Sequence, residues 1–218
     1  MKLTQPLILP LLLVAFCTSM LHAQDAEIIG SMSKYKTVES MTANVLRTKH
    51  NALLADDIQT QGTLYYLSPG RVCLSFDGGN DRMLVDGPTF ALTSEGKTQI
   101  VKGKMMTLID QMLTVFKVEA LGLMEGTDIS EMAEVSVEKQ GNLRILTITP
   151  VVNLGEKAKK RMLFTSLALT FDLRSGEIKS MKMNEQGENY TLYELSGYNL
   201  KATVDESVFS TGNEGSEK

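Results

Sequence analysis

The sequence predicts one mainly β domain built from a strongly curved antiparallel sheet or barrel. Three observations carry that prediction. Short strand patterns recur at roughly 8 to 12 residue spacing, with turn signals between them. A single strongly helical pattern, Lys104 to Lys117, interrupts them near the middle of the chain. Neither an internal repeat nor a linker long enough to separate two domains is visible.

The elements follow in order. Ala26 to Tyr35 places Ile28, Ile29, Met32 and Tyr35 on one helical face, predicting an N-terminal helix over 25–36, weakened at Gly30. Met41 to Lys49 alternates loosely. Gln59 to Leu67 ends at Ser68-Pro69-Gly70, a turn signal. Arg71 to Phe76 sets Val72, Leu74 and Phe76 on one face, with Arg71, Cys73 and Ser75 on the other. Asp77-Gly78-Gly79-Asn80 is a turn. Arg82 to Val85 and Thr89 to Thr93 flank Asp86-Gly87-Pro88 as a hairpin, and Gln99 to Lys102 adds a short strand.

The central helix carries Met105, Leu108, Ile109, Met112 and Phe116 at 3-to-4 spacing, against Asp110, Gln111, Thr114 and Lys117. Its methionine-rich stripe suits irregular or greasy partners. Gly122 and Gly126 then break the pattern, and Thr127 or Asp128 is placed to cap a further short turn of helix. Strands resume over Glu134–Glu138, Leu143–Thr149, Leu163–Leu173, Glu177–Asn184 and Glu188–Tyr198.

The first 23 residues read as a secretory signal. Lys2 precedes the apolar run Leu7 to Cys17, and Leu21-His22-Ala23 offers a cleavage site. The expected layout is a signal peptide at 1–23, one domain over 24–210 and a polar frayed tail over 211–218. Beyond the signal, 21 basic side chains face 26 acidic ones. That balance argues against nucleic acid as a partner. No later segment is apolar enough to cross a bilayer as a helix. Lys157, Lys159, Lys160 and Arg161 form a local basic cluster, a solvated loop or a docking point. Cys73 is the one cysteine past the signal, so no disulfide within the domain is possible and packing must hold the fold.

Candidate chemistry is sparse. His50 is the one histidine past the signal, and no histidine–cysteine cluster suggests zinc. No serine sits in a G-x-S-x-G setting, and no Gly-rich segment opens a helix as a phosphate loop. The expectation is therefore no catalytic residue, no metal and no cofactor. A secreted hydrolase built on His50 is the rival from another class. Apolar surface is what remains. Methionines at 32, 41, 83, 105, 106, 112, 124, 181 and 183 spread over most elements, as core or as the lining of a pocket for greasy ligands.

In order along the chain stand Gly62-Thr63-Leu64-Tyr65-Tyr66 with Pro69, then Val85-Asp86-Gly87, then the helical interruption. Leu169-Thr170-Phe171-Asp172 with Gly176-Glu177-Ile178 follow, and Asn199 to Asp205 with Phe209 close the set. In this order, behind a secretory signal, the chain resembles the periplasmic outer-membrane lipoprotein carriers, the LolA-like family. The resemblance implies a half-open barrel with helices covering its open concave side. It implies a hydrophobic cavity for acyl chains rather than catalysis. The partners implied are acylated lipoproteins or other lipids, an inner-membrane ATP-driven transporter and an outer-membrane acceptor. The protein would be a periplasmic monomer that shuttles cargo between membranes. The alternative within the fold is a lipid-binding or envelope-sensor domain. The expected cavity and lid residues are Met32, Leu74, Phe76, Leu92, Met105, Met106, Leu108, Ile109, Met112 and Phe116, with the helix meeting ligand or Leu74, Phe76 and Leu92 across the cavity. One position departs from the family. Carriers have an arginine before the proline of the first hairpin, bonded to the lid. Here it is Ser68, with Arg71 three residues on.

Overall fold

The computed structural model describes residues 25–124, 126–151, 162 and 164–211. The signal at 1–23, the Lys157–Arg161 cluster and the tail past residue 211 lie outside the described residues.

Eleven described strands form one antiparallel sheet that does not close on itself. They are β1 (Ser40–His50), β2 (Ile58–Leu67), β3 (Arg71–Phe76), β4 (Asp81–Asp86), β5 (Thr89–Ser94), β6 (Lys97–Val101), β7 (Ala133–Gln140), β8 (Leu143–Pro150), β9 (Ser166–Asp172), β10 (Glu177–Asn184) and β11 (Tyr190–Asn199). Their spatial order is β6-β5-β4-β3-β2-β1-β11-β10-β9-β8-β7. The chain meanders outward from β1 to the edge strand β6. It then crosses to the opposite edge, β7, and meanders back to pair β11 with β1. The crossing element is α2 (Lys104–Glu119). At 16 residues it is about 24 Å long, and it connects the two edge strands of the open half-barrel along the chain.

The alternation read from β3 holds across the sheet. Registers Leu74↔Met83↔Leu92 and Val45↔Gly62↔Phe76 align the inward residues of five strands. Gly62 has a specific task there. A Cβ on it would run into the Phe76 ring, so glycine lets the phenyl group lie flat on β2.

Two layers flank the sheet. On the concave side, α1 (Ala26–Met32) and α2 pack over β7–β10. Ile28, Met32, Leu108, Met112, Val115 and Val118 meet Leu146, Ile148, Leu169 and Phe171. Asp25 caps α1, accepting from the Glu27 and Ile28 amides at 3.0 and 3.3 Å. Glu27 then holds Arg144 of β8 at 2.6 Å, and that guanidinium lowers the Glu27 carboxyl below its usual range. Gly176, at φ 62° in the β9–β10 turn, admits the Ser31 carbonyl where a side chain would collide. On the convex side, the segment after β11 lies over the sheet. Phe209 packs on Cys73, Leu84 and Ala91, and burial pushes the Cys73 thiol up.

Some expectations shift. The N-terminal helix is α-helical only over 26–32, then tightens to a 3₁₀ turn at Ser33–Thr37. The further short turn of helix expected after Thr127 or Asp128 is a single hydrogen-bonded turn over 129–133, where the Met132 and Ala133 amides both donate to the Ile129 carbonyl, and no helix continues from it. Asp128 accepts from the Ser130 amide at 2.9 Å, and the turn leads directly into β7. The central helix runs two residues beyond 117.

Candidate functional site

The concave face divides in two. Over β7–β10 it is filled by the helices. Over β1, β3–β5, β10 and β11 it opens into a cavity of about 490 Å³. Phe76, Met83, Phe90, Leu92, Met183 and Tyr193 supply its apolar wall, and Leu54 and Ile58 stand where the β1–β2 loop meets it. Such a volume falls in the range of about 300–1,000 Å³ usual for small-molecule pockets. Leu53, at the tip of that loop, is 92 % exposed.

A charged group lies inside this apolar wall. Alternate residues of β1 face inward, and these run Met41, Ala43, Val45, Arg47, Lys49. Arg47 is 8 % exposed. Its Nη1 forms an ion pair with Asp81 Oδ2 at 2.6 Å, and its guanidinium lies 4.1 Å above the Phe76 ring centre. Phe76 is thus held between Gly62 and Arg47. Tyr193 sits 6.2 Å from Phe76, and burial pushes its hydroxyl up to about 12, with Arg47 pulling the other way.

The end of the cavity beside the β1–β2 loop is polar. His50 Nδ1 lies 2.7 Å from Asp57 Oδ1, and its ring stacks on Tyr190 at 4.7 Å. Lys182 Nζ lies over the Tyr190 ring, 4.0 Å from its centre. Thr191 donates to Glu185 at 2.9 Å, and Asn189 accepts from the Ala52 amide at 2.9 Å. These contacts give His50 a defined setting at the base of the loop. Among the described residues no group of three or more His, Cys, Asp or Glu side chains is placed to hold a metal ion.

The candidate residues separate along the same divide. Phe76 and Leu92 line the cavity, and Leu74 is buried beside Phe76 under Leu195 and Val45. Met32, Leu108 and Met112 are buried in the cluster over β7–β10, with Met105 and Phe116 packed at its margin. Ile109 is buried and Met106 half-buried on α2. The buried face of α2 therefore joins Leu146, Ile148 and Phe171, not the Leu74–Phe76–Leu92 strip. Met181, Met183 and Ile178 of β10 touch both clusters and form the seam between them. Sequence reasoning missed Arg47 and Asp81, and named Met83 and Met183 only among the methionines that could line a pocket. The signal for Arg47 was present: a cation at an inward position of an otherwise apolar alternation.

Arg71 does not turn toward the helices. It pairs with Glu206 at 3.3 Å and lies over Phe209 at 5.1 Å, both on the segment crossing the convex face.

The fold is an unclosed antiparallel half-barrel with a helix packed on its concave side and a cavity beside it. Residues 36–211 match the family described as "Outer membrane lipoprotein carrier protein LolA", and the chain belongs to that family. No curated protein matches it. Solved structures resemble it at low identity. A LolA superfamily protein from Nitrosomonas europaea is 8 % identical with a TM-score of 0.41, covering 86 % of this chain and 98 % of its own. A DUF1329 family protein from Desulfovibrio piger is 10 % identical with a TM-score of 0.44, covering 84 % and 95 %. The Mycobacterium tuberculosis lipoprotein LppX is 12 % identical with a TM-score of 0.35, covering 83 % and 97 %. No described helix is long and apolar enough to cross a membrane.

Proposed function

We propose that this protein binds the acyl chains of lipids or lipoproteins in its concave cavity and carries them through the periplasm, without catalysis. The observation that carries the reading is the cavity of about 490 Å³ walled by Phe76, Met83, Phe90, Leu92 and Met183, in a chain of the lipoprotein-carrier family. Each buried methylene is worth about 0.8 kcal/mol, so acyl chains need such shelter to leave a bilayer. The secretory signal read at 1–23 supports a periplasmic location. The test is mass spectrometry of the protein purified from the periplasm, followed by binding of a fluorescent fatty acid. Acylated proteins that co-purify and pass to acceptor vesicles support the carrier. A protein that binds neither lipid nor probe overturns it.

One observation favours a second reading. Ser68 stands where carriers have the arginine bonded to the lid, and Arg71 is committed to Glu206. A domain without that bond would hold lipid as a ligand, as a sensor or lipid-binding protein does. It would bind the fluorescent probe but deliver nothing to acceptor vesicles.

A further inference from the structure

We infer that the cavity takes a single-chain amphiphile with an anionic head, and that Arg47 is the anchor for that head. The inference rests on the lipid-binding reading above and specifies its ligand.

Arg47 is an expensive group to place in an apolar wall, since a buried charge must be paired and its donors met. The structure meets them only in part. Asp81 takes Nη1, while Nε is buried without a hydrogen-bond acceptor among the described residues. A guanidinium offers five donors in a planar fork, suited to carboxylate or phosphate oxygens. Arg82, the other arginine at the cavity, also has a buried Nε without an acceptor, but it alternates with Leu84 toward the convex side and donates to the Val208 carbonyl there at 3.4 Å. Asp57 faces His50, Asp81 faces Arg47, and Glu185 accepts from Thr191. Exposed Lys49 stands two residues beyond Arg47 on the same face of β1 and adds positive charge toward the loop.

The cavity lining orients the ligand. Met83, Phe90 and Leu92 form its apolar floor, and Arg47 and Lys49 of β1 stand at its basic side. A chain lying over Met83, Phe90 and Leu92 would bring its head to Arg47. There the head oxygens would share the guanidinium with Asp81, so Asp81 acts as a competing anion that the ligand must oppose. The pair makes Asp81 a regulator of affinity: removing its charge frees Arg47 for the ligand and removes a repulsion.

The experiment is calorimetric titration of the full chain with laurate, dodecyl phosphate, 1-dodecanol, acetate and inorganic phosphate. Laurate and dodecyl phosphate should bind about tenfold more tightly than 1-dodecanol, the size of one charge-assisted hydrogen bond in a sheltered site. Acetate and inorganic phosphate should show no measurable heat. Asp81→Asn should tighten laurate and leave 1-dodecanol unchanged. The double variant Arg47→Met with Asp81→Asn, which leaves no unpaired charge, should bind laurate and 1-dodecanol alike. Equal binding of laurate and 1-dodecanol by the parent, or no gain in Asp81→Asn, overturns the anchor while leaving the lipid-binding reading intact. Binding of inorganic phosphate as tight as dodecyl phosphate also overturns it, because the site would then read the anion alone. Failure of every chain-bearing probe overturns the lipid-binding reading itself.

Discussion

The two halves of the concave face are made from the same kind of strand and end in opposite states. Over β7–β10 the inward residues Leu146, Ile148 and Phe171 are wholly shut off by α1 and α2. Over β1 and β3–β5 the inward residues Phe76, Met83 and Leu92 face a cavity, with an ion pair set among them. What differs is the cover. α2 connects the edge strands β6 and β7 along the chain, and its buried stripe settles on the β7–β8 side. An apolar strand face alone therefore does not say whether it is core or binding site. The element laid over it does.

The largest test of this division is Met112→Asp. Met112 is buried among the apolar residues of the filled half, and an unpaired carboxylate there costs several kcal/mol. The expected result is loss of the cooperative melting transition. A folded variant that has merely lost fatty-acid binding would mean that α2 works as a movable lid, and the contrast between halves would dissolve. Next is Gly62→Ala. The added methyl runs into both the Phe76 ring and the Ser75 carbonyl, so the ring and the β2–β3 backbone must both give, at a cost of at least about 1–3 kcal/mol, measured by urea unfolding. Because Phe76 lies in the cavity wall, binding of a fluorescent fatty acid should weaken in parallel.

Leu92→Trp sharpens the comparison from the open side. Leu92 borders empty space, so the indole should occupy the cavity with a stability change under about 1 kcal/mol. Probe binding should fall at least about tenfold in the same protein. A melting loss as large as that of a core variant would show the open half to be packed after all. The smallest expected effect is Glu27→Gln, which loosens α1 from β8. Arg144 holds the Glu27 carboxyl below its usual range, so the stabilising contribution is present above ordinary glutamate pH values. It is lost as pH falls through the lowered value. Melting temperatures of parent and variant should differ slightly at pH 7 and converge in acid.

Much of the sheet was legible from residue order. Alternation in Arg71–Phe76 assigned Val72, Leu74 and Phe76 to one face, and the registers with β2 and β4 keep them there. The 3-to-4 spacing of Met105, Leu108, Ile109 and Met112 located α2 within two residues of its end. The capping pattern at Thr127 and Asp128 marked a helical turn, and one turn over 129–133 is what forms before β7. Asp128 serves that local turn.

Periodicity and turn chemistry thus set which residues share a face, since these follow from backbone geometry within a few neighbours. The family resemblance was also readable, because its short motifs fall in order along the chain. The location of the cavity was decided only by the tertiary structure. It depends on where β6, α2 and β7 place the helix over the sheet, and on pairings such as β1 with β11 that join residues far apart in sequence. The pairing of Arg47 with Asp81, and the glycine that lets Phe76 lie between Arg47 and β2, arise from that same assembly. Side-chain periodicity reports a direction, whereas a site requires that several directions converge on one volume.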